Sequence, residues 1–150
     1  MTEKAKIAVE LFNKKLHCSQ SILAAYADEC GISYEQAIKL GSCFGSGMRK
    51  GEVCGACTGA LMVLGLLYGQ HDETDAEGRA RSNTLNDQMM EKFSKKCGSY
   101  LCNEILGCDI KTKEGVEYAR SHKLFTELCP KIVEQAAIAL EEMIAENENS

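Results

Sequence analysis

The sequence predicts an all-α protein. Apolar residues recur three and four apart, and no long stretch alternates with period two. One proline in 150 residues leaves few fixed breaks. Helix-start and helix-stop residues also fall where the periodic runs begin and end. The length is that of one domain, so residues 1–150 read as a single-domain, cysteine-rich helical bundle of about six or seven helices.

Ala5, Ala8, Val9, Phe12 and Leu16 form one face of a first helix. Residues 17–29 predict a second, with Ile22, Leu23 and Tyr26 inward and Gly31 as its stop. Ser33-Tyr34-Glu35-Gln36 has the capping-box pattern and opens a third through Leu40. Residues 41–51 hold Gly41, Gly45, Gly47 and Gly51, which predicts a loop or broken helix. Residues 55–68 are apolar nearly all round, as in a buried central helix. Gly59 and Gly65 cost helix stability there and make sense if another backbone packs closely, in a dimer or internally. Asp72 to Asp75 cap a long helix that carries Leu85, Met89 and Phe93 and ends near Gly98. A short turn of helix runs from Ser99 to Leu106 and stops at Gly107, residues 109–115 are a polar loop, and residues 116–128 predict a weaker helix. Pro130 suits the first turn of a last helix with Ile132, Val133, Ala136, Ala137, Leu140 and Ile144 inward. The tail from Glu146 to Ser150 is expected to fray.

Charge and hydropathy exclude several classes. The net charge is −5, with no basic stripe, so nucleic acid is set aside. The longest apolar stretch, residues 59–69, is shorter than the roughly 20 residues a membrane span needs. Met1-Thr2-Glu3-Lys4-Ala5-Lys6 does not open like a signal peptide. A cytoplasmic location is the expectation, and there thiols stay reduced. Nine cysteines are too many to ignore and cannot all pair, which points to metal or redox chemistry.

Four of the nine fall at predicted helix starts: Cys18, Cys54, Cys102, and Cys129 directly before Pro130. A helix start carries partial positive charge and free N–H groups, which stabilise a thiolate. Four such starts in a bundle could converge on one point. Cys54-Gly55-Ala56-Cys57 is also a Cys-x-x-Cys motif opening a helix, the arrangement of a reactive dithiol. Against this, a buried free cysteine is commonly a small hydrophobe, and Cys57 could simply pack. Cys30, Cys43, Cys97 and Cys108 fall at helix ends or loops and read as structural, with Cys108 the exception nearest Cys102. His17, beside Cys18, could ligate a metal or make an ordinary polar contact.

The run Phe44-Gly45-Ser46-Gly47-Met48, followed by Val53-Cys54-Gly55-Ala56-Cys57-Thr58-Gly59-Ala60, resembles the C_GCAxxG_C_C family of redox-active proteins. His17-Cys18-Ser19-Gln20 is similar to its first cysteine motif, with histidine where asparagine is usual; Cys102 and Cys129 stand for the third and fourth. The resemblance implies a redox role and an all-α fold, and supplies no substrate. Three chemistries are expected of these residues. Cys18, Cys54, Cys102 and Cys129 could bind an iron–sulfur cluster and exchange electrons with a redox partner protein. Cys54 with Cys57 could act as a thiol–disulfide dithiol. The four thiolates could instead hold a structural zinc ion.

Overall fold

The structure, a computed structural model, describes residues 2–149. The described residues form nine α-helices: α1 (Glu3–Asn13), α2 (Cys18–Ala25), α3 (Ala27–Cys30), α4 (Tyr34–Gly41), α5 (Gly55–Tyr68), α6 (Ala76–Cys97), α7 (Cys102–Leu106), α8 (Lys113–Ser121) and α9 (Cys129–Glu148). Two wide turns, Gly47–Gly51 and Leu124–Leu128, join α4 to α5 and α8 to α9. Seven of the helices have eight residues or more, and the short α3 and α7 take the number past the expected six or seven.

Helix α5 lies in the core, with Ala56, Cys57, Ala60 and Val63 fully buried. Around it pack α2 through Ile22 and Leu23, α6 through Met89 and Phe93, and α9 through Val133, Ala136 and Leu140. The two glycines of α5 differ. A Cβ on Gly59 would stand 2.9 Å from the Ser19 carbonyl oxygen, so α2 crosses α5 at that point. A Cβ on Gly65 would meet nothing within 4 Å outside its own helix, so the expected close packing exists at Gly59 and not at Gly65 within the chain.

Local capping chemistry sets several boundaries. The Ser33 hydroxyl accepts from Gln36 N–H and the Gln36 side chain accepts from Ser33 N–H, a complete capping box at α4. Asp75 accepts from Gly78 N–H at the start of α6. Gly31, Gly98 and Gly107 end α3, α6 and α7 in the left-handed conformation.

Three boundaries depart from the sequence reading. The expected helix over residues 17–29 breaks at Tyr26, whose N–H turns back to Leu23 O and whose ring is buried under the Lys4 ammonium. The expected helix over 116–128 instead starts at Lys113, capped by the Thr112 hydroxyl, and stops at Ser121. Lys123 then turns left-handed and the chain reaches Pro130 through the wide turn, which suits a residue with no N–H for the i−4 carbonyl. The tail does not fray at Glu146: α9 continues to Glu148, held by the Tyr68 hydroxyl at 2.8 Å. Ser150 lies outside the described residues. Among the described helices none is long and apolar enough to cross a membrane.

Candidate functional site: a cavity walled by four thiols

Cys18 is the first residue of α2, Cys54 caps α5, and Cys102 opens α7. Cys129 opens α9, but it is not a free start: Leu128 before it is helical (φ −87°, ψ −50°), so the wide turn runs straight into α9. The helix-start argument therefore applies to three of the four thiols, and the expected N-cap at Cys129 is replaced by a continuous backbone.

Non-local backbone pairing holds two of them side by side. Val53 and Leu101 form a single antiparallel bridge. On either side of it Cys54 N–H donates to Tyr100 O at 2.8 Å and Cys102 N–H donates to Glu52 O at 2.7 Å. The Cys18 sulfur lies against the start of α5. A Cβ on Gly55 would stand 2.5 Å from Cys18 Sγ and 2.9 Å from Phe44 O. Only glycine after Cys54 lets that sulfur sit there, and with Gly59 it lets the whole of α2 close onto α5. The spacing Cys54-Gly55-Ala56-x-x-Gly59 thus has a steric meaning: one cysteine, and two gaps for the helix that carries another.

All four thiols line one cavity of about 320 Å³. Its remaining walls are mostly apolar, from Phe12 in α1, Leu16 after it, Ile105 in α7, Phe125 in the wide turn, and Val133 in α9. Ser46, Thr126, Lys15 and His17 supply polar groups.

The four thiols are electrostatically distinct. Cys18 is lowered to about 7, first by its hydrogen bond with the Cys54 thiol, then by the N–H groups of Ser46, Ser19 and Cys18 itself, against the opposing effect of burial. Cys54 moves the other way, because that hydrogen bond holds its proton and burial adds to it. Burial pushes Cys102 and Cys129 up to about 12, and both sense the Cys18 charge. One site thus holds a thiol that ionises near neutrality beside three that keep their protons.

Cys57 does not join them. It is fully buried on the side of α5 facing α6, with its sulfur 3.5 Å from Met90 Sδ, and burial pushes it to about 12. Cys30, Cys43, Cys97 and Cys108 also lie off the cavity wall, although Cys108 is near enough to raise Cys102. His17 lines the cavity and its ring packs on Gly45. Among the described residues no three His, Cys, Asp or Glu side chains are gathered closely enough to hold a single metal ion; the four thiols surround a space. Sequence reasoning missed Ser46 and Gly55. The glycine-rich run before Cys54 is the signal for Ser46, and the Cys54-Gly55-Ala56-x-x-Gly59 spacing is the signal for Gly55.

Helical fold and site define a class: an all-α protein whose helix ends carry thiols to a common cavity. The chain belongs to the family described as "Putative redox-active protein (C_GCAxxG_C_C)", which it matches over residues 16–143. No curated protein and no solved structure matches it.

Proposed function

We propose that Cys18, Cys54, Cys102 and Cys129 hold an iron–sulfur cluster and that the protein transfers electrons to and from a redox partner. The observation that carries this reading is the common cavity: four thiols from four elements wall it, and the other five cysteines do not. Four thiolates are the ligand set of both [2Fe–2S] and [4Fe–4S] centres. A cluster spreads its ligands over several irons, so the thiols stand around a space instead of closing on a point. The cluster would supply one-electron chemistry. Phe12, Ile105, Phe125 and Val133 would give it apolar surroundings, and the Ser46 N–H, directed to the Cys18 sulfur, would touch one of its ligands. Hydrogen bonds to ligand sulfurs are one of the means by which proteins set cluster potentials.

Purification without oxygen or an affinity metal, followed by a visible spectrum and assays of iron, acid-labile sulfide and zinc, tests it. Brown protein with matching iron and sulfide is expected. Colourless protein that stays metal-free after incubation with iron and sulfide would contradict it, and one zinc per chain would make the site structural.

The contact between Cys18 and Cys54 favours a second reading, a dithiol whose partner for Cys54 is Cys18 and not Cys57. The Cys18 thiolate attacks an incoming disulfide and expels one of its thiolates, leaving a mixed disulfide. The Cys54 thiol then attacks Cys18 Sγ, its proton passing to the second thiolate as that leaves, and closes a Cys18–Cys54 disulfide. Peptide mapping of metal-free oxidised protein without reductant would find that link.

A further inference from the structure

We propose that the mouth of the four-thiol cavity is a docking surface for an acidic electron-carrier protein, held by Lys15, Arg49 and Lys123. The inference rests on the electron-transfer reading of the site. Its starting point is backbone strain. Among the described residues five non-glycine residues have positive φ: Lys15 (81°), Ser46 (55°), Met48 (58°), Arg49 (61°) and Lys123 (58°). Side chains disfavour this conformation, and asparagine or glycine would adopt it with less strain.

All five lie on three segments that border one cavity. Lys15 and Ser46 line it, Met48 and Arg49 continue the turn that starts at Ser46, and Lys123 leads directly into Phe125 and Thr126 of the opposite wall. Clustered strain of this kind is found at functional sites, and here three of the five residues are cations.

Charge is the second observation. The chain carries a net charge of −5, yet no carboxylate lines the cavity, where the charged or chargeable groups besides the thiols are Lys15 and His17. Glu52 and Glu127 lie on neighbouring segments but do not line it. The lysines in ion pairs among the described residues are Lys4, Lys39, Lys92, Lys95 and Lys96. Lys15, Arg49 and Lys123 are exposed and form none of those pairs. Exposed, unpaired cations around a redox centre draw an anionic partner and orient it.

The test uses Lys15→Asn and Lys123→Asn together, since asparagine keeps the left-handed backbone and removes the charge. In metal-free protein the rate of Cys18 alkylation by anionic iodoacetate is compared with that by neutral iodoacetamide. The ratio should fall about threefold or more in the variant and with added salt. In cluster-loaded protein the probe is a plant-type ferredoxin, an acidic carrier. Its electron exchange should slow with salt and with the double substitution, while the cluster's iron content stays unchanged. An alkylation ratio that ignores the substitutions would overturn the charged mouth. A normal ratio shift with ferredoxin exchange insensitive to salt and substitution would overturn the protein partner. Colourless protein would overturn the electron-carrier partner together with the cluster reading, and the alkylation comparison, which needs no cluster, would still decide whether the mouth is cationic.

Discussion

At the scale of single residues, the chemistry concentrates on Cys18. Its sulfur rests on the bare Cα side of Gly55, accepts from the Cys54 thiol, and has the Ser46 N–H directed at it. The same bond that lowers Cys18 raises Cys54, so the two titrate as a unit. Two consequences follow for the metal-free protein. Alkylation of Cys18 by iodoacetamide should show a midpoint near pH 7, followed by mass mapping of the modified peptide. Cys54→Ala removes the largest lowering influence, so the midpoint should move upward toward that of a free thiol, about 8.5. An unchanged midpoint in Cys54→Ala would assign the effect to the backbone N–H groups instead. The sequence leaves Cys57 open as a dithiol partner of Cys54 or a packing residue. In the structure Cys54 is an extended cap outside α5, while Cys57 is inside the helix and turned to Met90, which favours packing.

At the scale of elements, the contact of α2 with α5 builds the site. It depends on the glycines where backbone meets backbone. Gly59→Ala should destabilise the protein by about 1–3 kcal/mol through overpacking against Ser19. Gly65→Ala, in the same helix with open space around it, should stabilise by about 0.5–1 kcal/mol. Urea denaturation of the two variants checks both signs, and equal effects would mean that helix propensity and not packing decides. Much of this level was legible in the sequence, because helix starts are local chemistry. Ser33 with Gln36, Asp75, and the stops at Gly31, Gly98 and Gly107 each act within a few residues of themselves. The Val53–Leu101 bridge was not legible, since it joins residues far apart that carry no pairing signal. The left-handed run from Ser46 to Arg49 was also hidden, because three of its four residues are not glycine and only tertiary packing holds them there. Pro130 does stand in the first turn of α9, where a residue without an N–H fits, but the wide turn runs into that start because Leu128 is already helical.

At the scale of the whole molecule, the buried thiols couple stability to pH. Folding lowers Cys18 from 9.0 to about 7, so between those values the unfolded chain holds more protons and stability rises with pH. Burial raises Cys30 and Cys97 to about 11 and Cys57, Cys102 and Cys129 to about 12. Above pH 9 the unfolded chain loses those protons first, so stability falls, at about 1.4 kcal/mol per pH unit for each proton of difference. Reduced, metal-free protein should therefore lose denaturation midpoint steeply between pH 9 and 10, after a small gain from pH 7 to 8.5. A flat profile through pH 10 would mean that the buried thiols ionise freely in the folded state.

The division of the cysteines into four that wall one cavity and five that do not is the centre of the account. A series of nine single Cys→Ser variants, each prepared without oxygen and measured for bound iron, sulfide and visible absorbance, tests it most directly. Losses are expected at Cys18, Cys54, Cys102 and Cys129, with Cys30, Cys43, Cys57, Cys97 and Cys108 retaining the parent spectrum. Bleaching on substitution of Cys57 with retention on substitution of Cys129 would contradict it and move the centre to the Cys54-x-x-Cys57 motif.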